Sequence, residues 1–326
     1  MRVLVTGGAG FIGSHVAEGL LAAGHRVVVF DNESTGRRDN VPRAAAYLRG
    51  DVADLEALGR AFEQPLDAVC HIAGQVSIIR SFTDPVADLR TNTQGTVNVL
   101  QCAVQHKVPR VLYASSMTNY GHSDTLPIPE THPCTPTSYY GITKYAAERY
   151  VHTTADREDL GVKLRATSFR MYNVYGPRQA LDNPYQGVLG IFLGNVLRRE
   201  PITVFGDGEQ TRDFVYIDDV VRAWVTALDH PGTFDRVFNI GSGRRLTINQ
   251  LVDAVLGASG ESRSTWEIRY QPWRPGEQRH VEADVRLAAA AMGWVPAVSF
   301  ERGLIDTLAW ARQHSAPSSG GAGSRA

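Results

Sequence analysis

The run Val3-Leu-Val-Thr-Gly-Gly-Ala-Gly-Phe-Ile-Gly-Ser14 constrains this chain more than any other stretch of it. An apolar strand, Arg2 to Thr6, enters a turn holding Gly7, Gly10 and Gly13, and Phe11 to Ala23 then has helical apolar spacing. Gly7 allows the tight turn, Gly10 lets backbone approach a pyrophosphate, and Gly13 lets helix and strand pack closely. The uncapped N–H groups and positive end of the helix then face the phosphates. A second strand, His25 to Phe30, ends at Asp31. Glycine-rich turns are common, but strand, turn, helix, strand and terminal acid in this order specify a dinucleotide site. A carboxylate at Asp31 can start the loop that follows it; placed at the strand end it also bonds an adenosine ribose and repels a 2'-phosphate, which favours NAD over NADP.

Further strand-like runs at Ala46 to Leu48, Ala68 to Ile72, Arg110 to Ser115 and Lys163 to Phe169 alternate with helical segments at Leu55 to Glu63, Asp84 to Gln105 and Tyr140 to Asp156. This alternation predicts an α/β fold with a Rossmann-type doubly wound parallel sheet, since helices of that length make the crossovers parallel strands need. After Arg170 the rhythm changes, with a helix expected from Gly187 to Arg199 and a loop from Phe205 to Asp213. A helix from Asp218 to Asp229 and a strand from Arg236 to Ile240 then read as a return to the main sheet. The expected division is a dinucleotide-binding domain of residues 1–169 with 214–242, and a smaller substrate lobe of 170–213 with 243–313. The small, polar, glycine-rich tail 315–326 is expected to be disordered.

Composition narrows the function class. A formal net charge of −1 over 326 residues offers no footprint for nucleic acid or an anionic membrane. No apolar run has the length of a membrane span, and the first strand begins at once, so a cytoplasmic protein is expected. Cys70 falls in a strand, Cys102 in a helix and Cys134 in a proline-rich loop; they make no metal-type cluster and read as ordinary thiols.

Tyr140 and Lys144 stand four apart on a predicted helix, so an ammonium shares a face with a phenol. That spacing alone is an ordinary helix face; beside a dinucleotide site it is an acid–base pair, because a neighbouring cation lowers a phenol's pKa toward useful general-base strength. Tyr139 projects from another face. Ser116, just past the strand Arg110 to Ser115, lies at the sheet edge where ligands bind and is placed to hydrogen-bond the same substrate hydroxyl.

With these residues the chain resembles the nucleotide-sugar epimerases and dehydratases of the extended short-chain dehydrogenase/reductase family, over residues 1 to about 313. The likeness rests on Thr6-Gly-Gly-Ala-Gly-Phe-Ile-Gly13, Gly50-Asp-Val52, His71-Ile-Ala-Gly-Gln75, Asn92-Thr-Gln-Gly-Thr96, Ser115-Ser-Met-Thr-Asn-Tyr-Gly121 and Tyr140 to Lys144. It continues through Arg170-Met-Tyr-Asn-Val-Tyr-Gly-Pro177, Gly206 to Asp213 and Arg274-Pro-Gly-Glu277. The resemblance implies that NAD is held by Gly7, Gly10, Phe11, Ile12, Gly13, Asp31, Asn32, Asp51, Val52, Ile72, Ala73, Gly74, Gln75, Asn92, Ser115, Tyr140, Lys144 and Tyr172. It implies that Tyr140 takes the sugar hydroxyl proton, that Lys144 holds the NAD ribose and tunes Tyr140, and that Ser116 positions the hydroxyl.

Dehydratases of this family carry an Asp-Glu pair where this chain has Met117 and Thr118, and UDP-glucuronate decarboxylases a glutamate at Thr118. A 4-epimerase needs no further acid, so the resemblance implies turnover of a nucleotide-diphosphate sugar, a UDP-hexose foremost, through a transient 4-keto sugar. Gly74-Gln-Val76 also resembles C2-epimerases of CDP-sugars, and a non-catalytic NAD sensor is the alternative of another class. Arg212 and Arg274 are expected on the diphosphate, since guanidinium groups match phosphate oxygens in pairs. Asn173, Val188 and Val204 join them as substrate contacts, Met117 lies beside the sugar, and Val281 falls where residue size admits or excludes an N-acetyl group. A homodimer paired through the helices Asp84 to Gln105 and Tyr140 to Asp156 is implied as well.

Overall fold

The computed structural model describes residues 1–181, 187–273 and 278–314; the tail expected to be disordered lies outside them. Strands β1 (Arg2–Thr6), β2 (Arg26–Asp31), β3 (Ala46–Arg49), β4 (Ala68–His71), β5 (Arg110–Ser116) and β6 (Arg165–Met171) lie in one sheet. Next come β7 (Asn173–Tyr175), β8 (Ile202–Phe205), β9 (Thr211–Tyr216) and β10 (Arg236–Ile240), and β10 is the seventh strand of that sheet. Its order is β10-β6-β5-β4-β1-β2-β3, and every pairing is parallel. The strand order reverses at β1, whose neighbours are β2 and β4, so a crevice opens beyond the carboxyl ends of β1 and β4.

Successive side chains of a strand point to opposite faces, and both faces here are apolar. Val3, Val5, Val27 and Val29 pack on one side with the helices Phe11–Ala22 and Ile217–Ala227; Leu4, Val28, Val69 and Val111 pack on the other with Val99, Ala147 and Val151. Two smaller sheets follow: β9 between β7 and β11 (Arg245–Thr247), and β8 paired with β12 (Ile268–Gln271). Strand β9 crosses residue 213, so the expected boundary at 213–214 divides a single strand; Phe214, Val215 and Tyr216 extend the same core to Leu251, Leu304 and Leu308.

Two predicted helices are interrupted. The segment expected as Leu55 to Glu63 is helical over Leu55–Gly59 and tightens into a 3₁₀ turn at Arg60–Phe62. The long helix begins at Pro85, capped by the Asp84 carboxylate on the Ala87 N–H, and widens into a π turn at Arg90–Gln94 before resuming at Gly95–Gln105. Such π turns concentrate at functional sites, and this one holds Asn92.

Gly13 is where strand and helix touch: a Cβ there would sit 2.1 Å from the Gly7 carbonyl oxygen and 2.9 Å from the Gly8 Cα. Backbone on both sides leaves no side chain to yield, so Gly13→Ala must push the helix Phe11–Ala22 off β1. A loss of about 1–3 kcal/mol is expected, read as a lowered midpoint in urea unfolding, with reduced NAD retention on purification.

Candidate active site and cofactor cradle

The glycine turn meets the demands of a dinucleotide. Gly10 precedes the helix Phe11–Ala22 with no side chain capping its N–H groups, and a Cβ on Gly10 would meet only the Gly7 carbonyl, at 3.2 Å. Phe11 and Ile12 begin that helix, half-buried against the core. Uncapped N–H groups beside an open backbone are what a pyrophosphate requires. Gly7 has φ +72°, and a Cβ there would lie 2.6 Å from the Ala73 nitrogen, so the turn after β1 presses on the loop after β4.

Asp31, at the end of β2, accepts from the Ala9 N–H at 3.0 Å and the Glu33 N–H at 2.7 Å. Burial pushes its carboxyl above the usual carboxylate range while those two N–H groups act the other way. Asp51 accepts from the Ala53 N–H and from the Asn32 amide at 3.0 Å, and the Val52 carbonyl accepts from Asn98. Thr6 Oγ1 takes the N–H groups of Ile72 and Ala73 and joins His71, which reaches Thr96 on its far side. Burial drives the His71 imidazole down to about 3, so it stays neutral and serves as a strut.

The helix that carries Tyr140 and Lys144 runs Tyr139–Ala155, one residue earlier than predicted, because the Ser138 hydroxyl accepts from the Gly141 N–H. Tyr140 and Lys144 are 8% and 5% exposed, against 48% for Tyr139. Ser116 ends β5 near the Tyr140 phenol, where it acts to lower that group's pKa, and its oxygen accepts from the Thr118 N–H at 3.2 Å and the Thr118 hydroxyl at 2.9 Å. The structure thus places Ser116 near Tyr140 and adds Thr118, which the sequence marked only as a missing carboxylate.

The expected lowering of Tyr140 by Lys144 is not realised. Burial pushes the phenol up to about 12, the nearby Ser116 hydroxyl opposes this, and the Asp88 charge adds to it. Burial also brings Lys144 down to about 7, with Asp88 and then Glu148 acting to raise it. A lysine that surrenders its charge this readily gives little electrostatic help to its neighbour. Lys144 Nζ instead stands over the Tyr113 ring, 4.5 Å from its centre, near enough to Gly74 that a Cβ there would be 3.6 Å away.

Several expected cofactor contacts have committed side chains. The Ser115 hydroxyl donates to Glu148 at 2.6 Å and accepts from Asn119. The Gln75 side chain is held by Asp88 and by the Ser77 backbone, and its N–H donates to Asn92 Oδ1 at 2.8 Å. Tyr172 is buried, and its hydroxyl has no hydrogen-bond partner among the described residues. Glu148 and Arg170, a buried pair bonded at both carboxylate oxygens, fix the helix to β6.

On the second side, Val188, Val204 and Arg212 line one recess with Phe192, Thr203, Phe205, Gln210 and Ile248. The Arg212 guanidinium donates to the carbonyls of Thr211 and Arg279, and one Asn173 amide hydrogen to the Asp213 carbonyl. Val281 is fully buried in a cluster with Tyr120, Ile128, Tyr172 and Ala283, with Met117 packed against it. Arg274 lies outside the described residues. Phe205 and Gln210 sit in the run Gly206 to Asp213 or at its edge, but spacing carried no signal that their side chains turn inward.

Residues 3–241 match the model of the NAD dependent epimerase/dehydratase family. The UDP-glucose 4-epimerase of Mycolicibacterium smegmatis is 36% identical over 97% of this chain and 100% of its own. The structure of the UDP-glucose 4-epimerase of Thermotoga maritima with UDP-glucose superposes with a TM-score of 0.90 at 39% identity, covering 96% of this chain and 99% of that one. That of Thermus thermophilus, a complex with NAD, gives 0.88 at 37%, covering 96% and 100%. With a family model spanning most of its length and relatives matching end to end, this chain belongs to the NAD-dependent epimerase/dehydratase family.

Proposed function

We propose that this chain is a nucleotide-sugar 4-epimerase that uses bound NAD and acts on UDP-hexoses. The carrying observation is the placement of buried Ser116, at the carboxyl end of β5, beside buried Tyr140 and Lys144, in a site with Met117 and Thr118 where an eliminating enzyme needs carboxylates. Tyr140 takes the proton from the sugar 4-hydroxyl, Ser116 holds that oxygen as it becomes a ketone, and Thr118 fixes the Ser116 hydroxyl from behind. NAD, when bound, supplies the hydride acceptor and donor at the sugar carbon. Gly7 to Gly13 with the helix N-terminus would hold its pyrophosphate, Asp31 its adenosine ribose, Asp51 and Val52 its adenine, and Lys144 its other ribose.

The recess lined by Val188, Val204 and Arg212 would take the nucleotide, with Asn173 and Arg274 toward the diphosphate. We assign residues 170–213 and 243–313 to substrate binding on the same grounds. Val86, Leu89, Ile142 and Tyr150 leave apolar surface exposed on the helices that start at Pro85 and Tyr139. Under this reading they meet a second copy of the chain.

Incubation in D2O with UDP-, dTDP-, CDP-, GDP- and ADP-sugars, without added NAD, tests the proposal by proton NMR. The expected product is the C4 epimer of a UDP-sugar with no ring deuterium; deuterium at C3 or C5, or loss of water or CO2, would overturn it. Tyr140→Phe should lower turnover by about 10²–10⁴-fold and leave the amount of co-purified NAD unchanged, whereas an NAD sensor would be indifferent to the change. Val281→Tyr should reduce kcat/KM for UDP-N-acetylhexosamine far more than for UDP-hexose in a variant with native circular dichroism. Equal losses would remove Val281 from substrate selection.

A further inference from the structure

Asp88 is a buried carboxylate, 1% exposed, on the helical turn Pro85–Leu89 just before the π turn. Its Oδ1 accepts from Gln75 Nε2 at 2.6 Å and Asn92 Nδ2 at 3.1 Å, and its Oδ2 from the Thr143 hydroxyl at 2.6 Å. It thereby ties together the loop after β4, the π turn and the active-site helix, and the last of these donors immediately precedes Lys144. All three donors are neutral, and among the described residues Asp88 makes no ion pair.

A buried anion without a paired cation is costly. Lys144 is the cation whose charge bears on Asp88. Its Nζ lies beside the Asn92 side chain that Asp88 holds, since a Cβ on Gly74 would be 3.0 Å from Asn92 Oδ1 and 3.6 Å from Lys144 Nζ. The other groups packed around Lys144 do not compete for this role. Glu148, one turn along the same helix, is taken by Arg170 from β6 at both oxygens. His71 of β4 is neutral, Tyr113 of β5 offers its ring face, and Tyr140 of the same helix keeps its proton.

We propose that Asp88 is a positioning residue for the epimerase reaction: its buried carboxylate, bonded to Thr143 and Asn92 on either side of Lys144, holds the Lys144 side chain charged and in place. The inference rests on the reading of Tyr140 and Lys144 as the working acid–base pair. Burial alone pulls the Lys144 ammonium toward its neutral form, and the Asp88 charge is the largest influence opposing it. Removing that charge lets Lys144 lose its proton at lower pH, so an activity that needs the ammonium fails earlier on the alkaline side.

The chain has three lysines, Lys107, Lys144 and Lys163, so selective ¹³C,¹⁵N-lysine labelling gives a side-chain spectrum simple enough to follow one residue. The Lys144 resonance is the one missing from Lys144→Met. In the wild-type protein it should titrate near neutrality; in Asp88→Asn the midpoint should fall by about one unit or more, and in Asp88→Glu it should stay within about half a unit of wild type. The alkaline limb of kcat/KM should move down with it. An unmoved Lys144 midpoint in folded Asp88→Asn would overturn the inference whatever the activity does. A moved midpoint with an unmoved activity limb would support it and instead overturn the assigned role of the Tyr140–Lys144 pair. Should Asp88→Asn fail to fold, the wild-type Asp88 carboxyl carbon, assigned by triple resonance, carries the test: it should shift as Lys144 titrates, and a flat trace through that pH would overturn the inference.

Discussion

The stripe of the helix Tyr139–Ala155 that packs against the sheet also carries the two residues proposed for the chemistry, Tyr140 and Lys144. Tyr140, Thr143, Lys144, Ala147, Glu148 and Val151 are all buried on it, at the three- and four-residue spacing of one helix face. Apolar Ala147 and Val151 hold the helix down, and the polar members are drawn out of water with them. Each then needs a partner, because a buried polar group left unpaired costs about 1–3 kcal/mol and a buried charge more. Those partners come from the strands and the neighbouring helix: Ser116 for Tyr140, Asp88 for Thr143, Arg170 and Ser115 for Glu148. The site is therefore built by the packing of the sheet as much as by the helix that bears its motif.

The signals legible in the sequence are those with a local cause. The turn holding Gly7, Gly10 and Gly13 is fixed by backbone clearance within a dozen residues, and the apolar runs give all seven strands of the main sheet to within about two residues. What was not legible depends on residues far apart in sequence. Arg170 and Glu148 pair across 22 positions, Thr143 and Asp88 across 55, and Gln278 reaches the Gly121 carbonyl across 157. The π turn at Arg90–Gln94 belongs to this class: its five residues are all polar and set no apolar period, and its reason is the set of bonds Asn92 makes to Gln75, Asp88 and Thr143. The small sheets escaped for the opposite reason, since β7 and β11 have three residues each, too short for a periodicity to declare itself.

Spacing could place Tyr140 and Lys144 on one face but could not tell which charges they would carry there. Burial disfavours both ionic forms: the phenol is pushed up to about 12 and the ammonium down to about 7. In the protein alone the proton therefore belongs on the tyrosine at neutral pH, and Ser116 is too weak a donor to change that. Small changes in nearby charge then have large effects, because the low-dielectric surroundings that suppress ionisation also strengthen every Coulomb interaction within them. The Asp88 charge opposes the loss of the Lys144 proton and raises the Tyr140 phenol further, so one carboxylate bears on both groups. A phenol and an ammonium whose ionic forms burial disfavours rest on a balance that the neighbouring carboxylates Asp88 and Glu148 set.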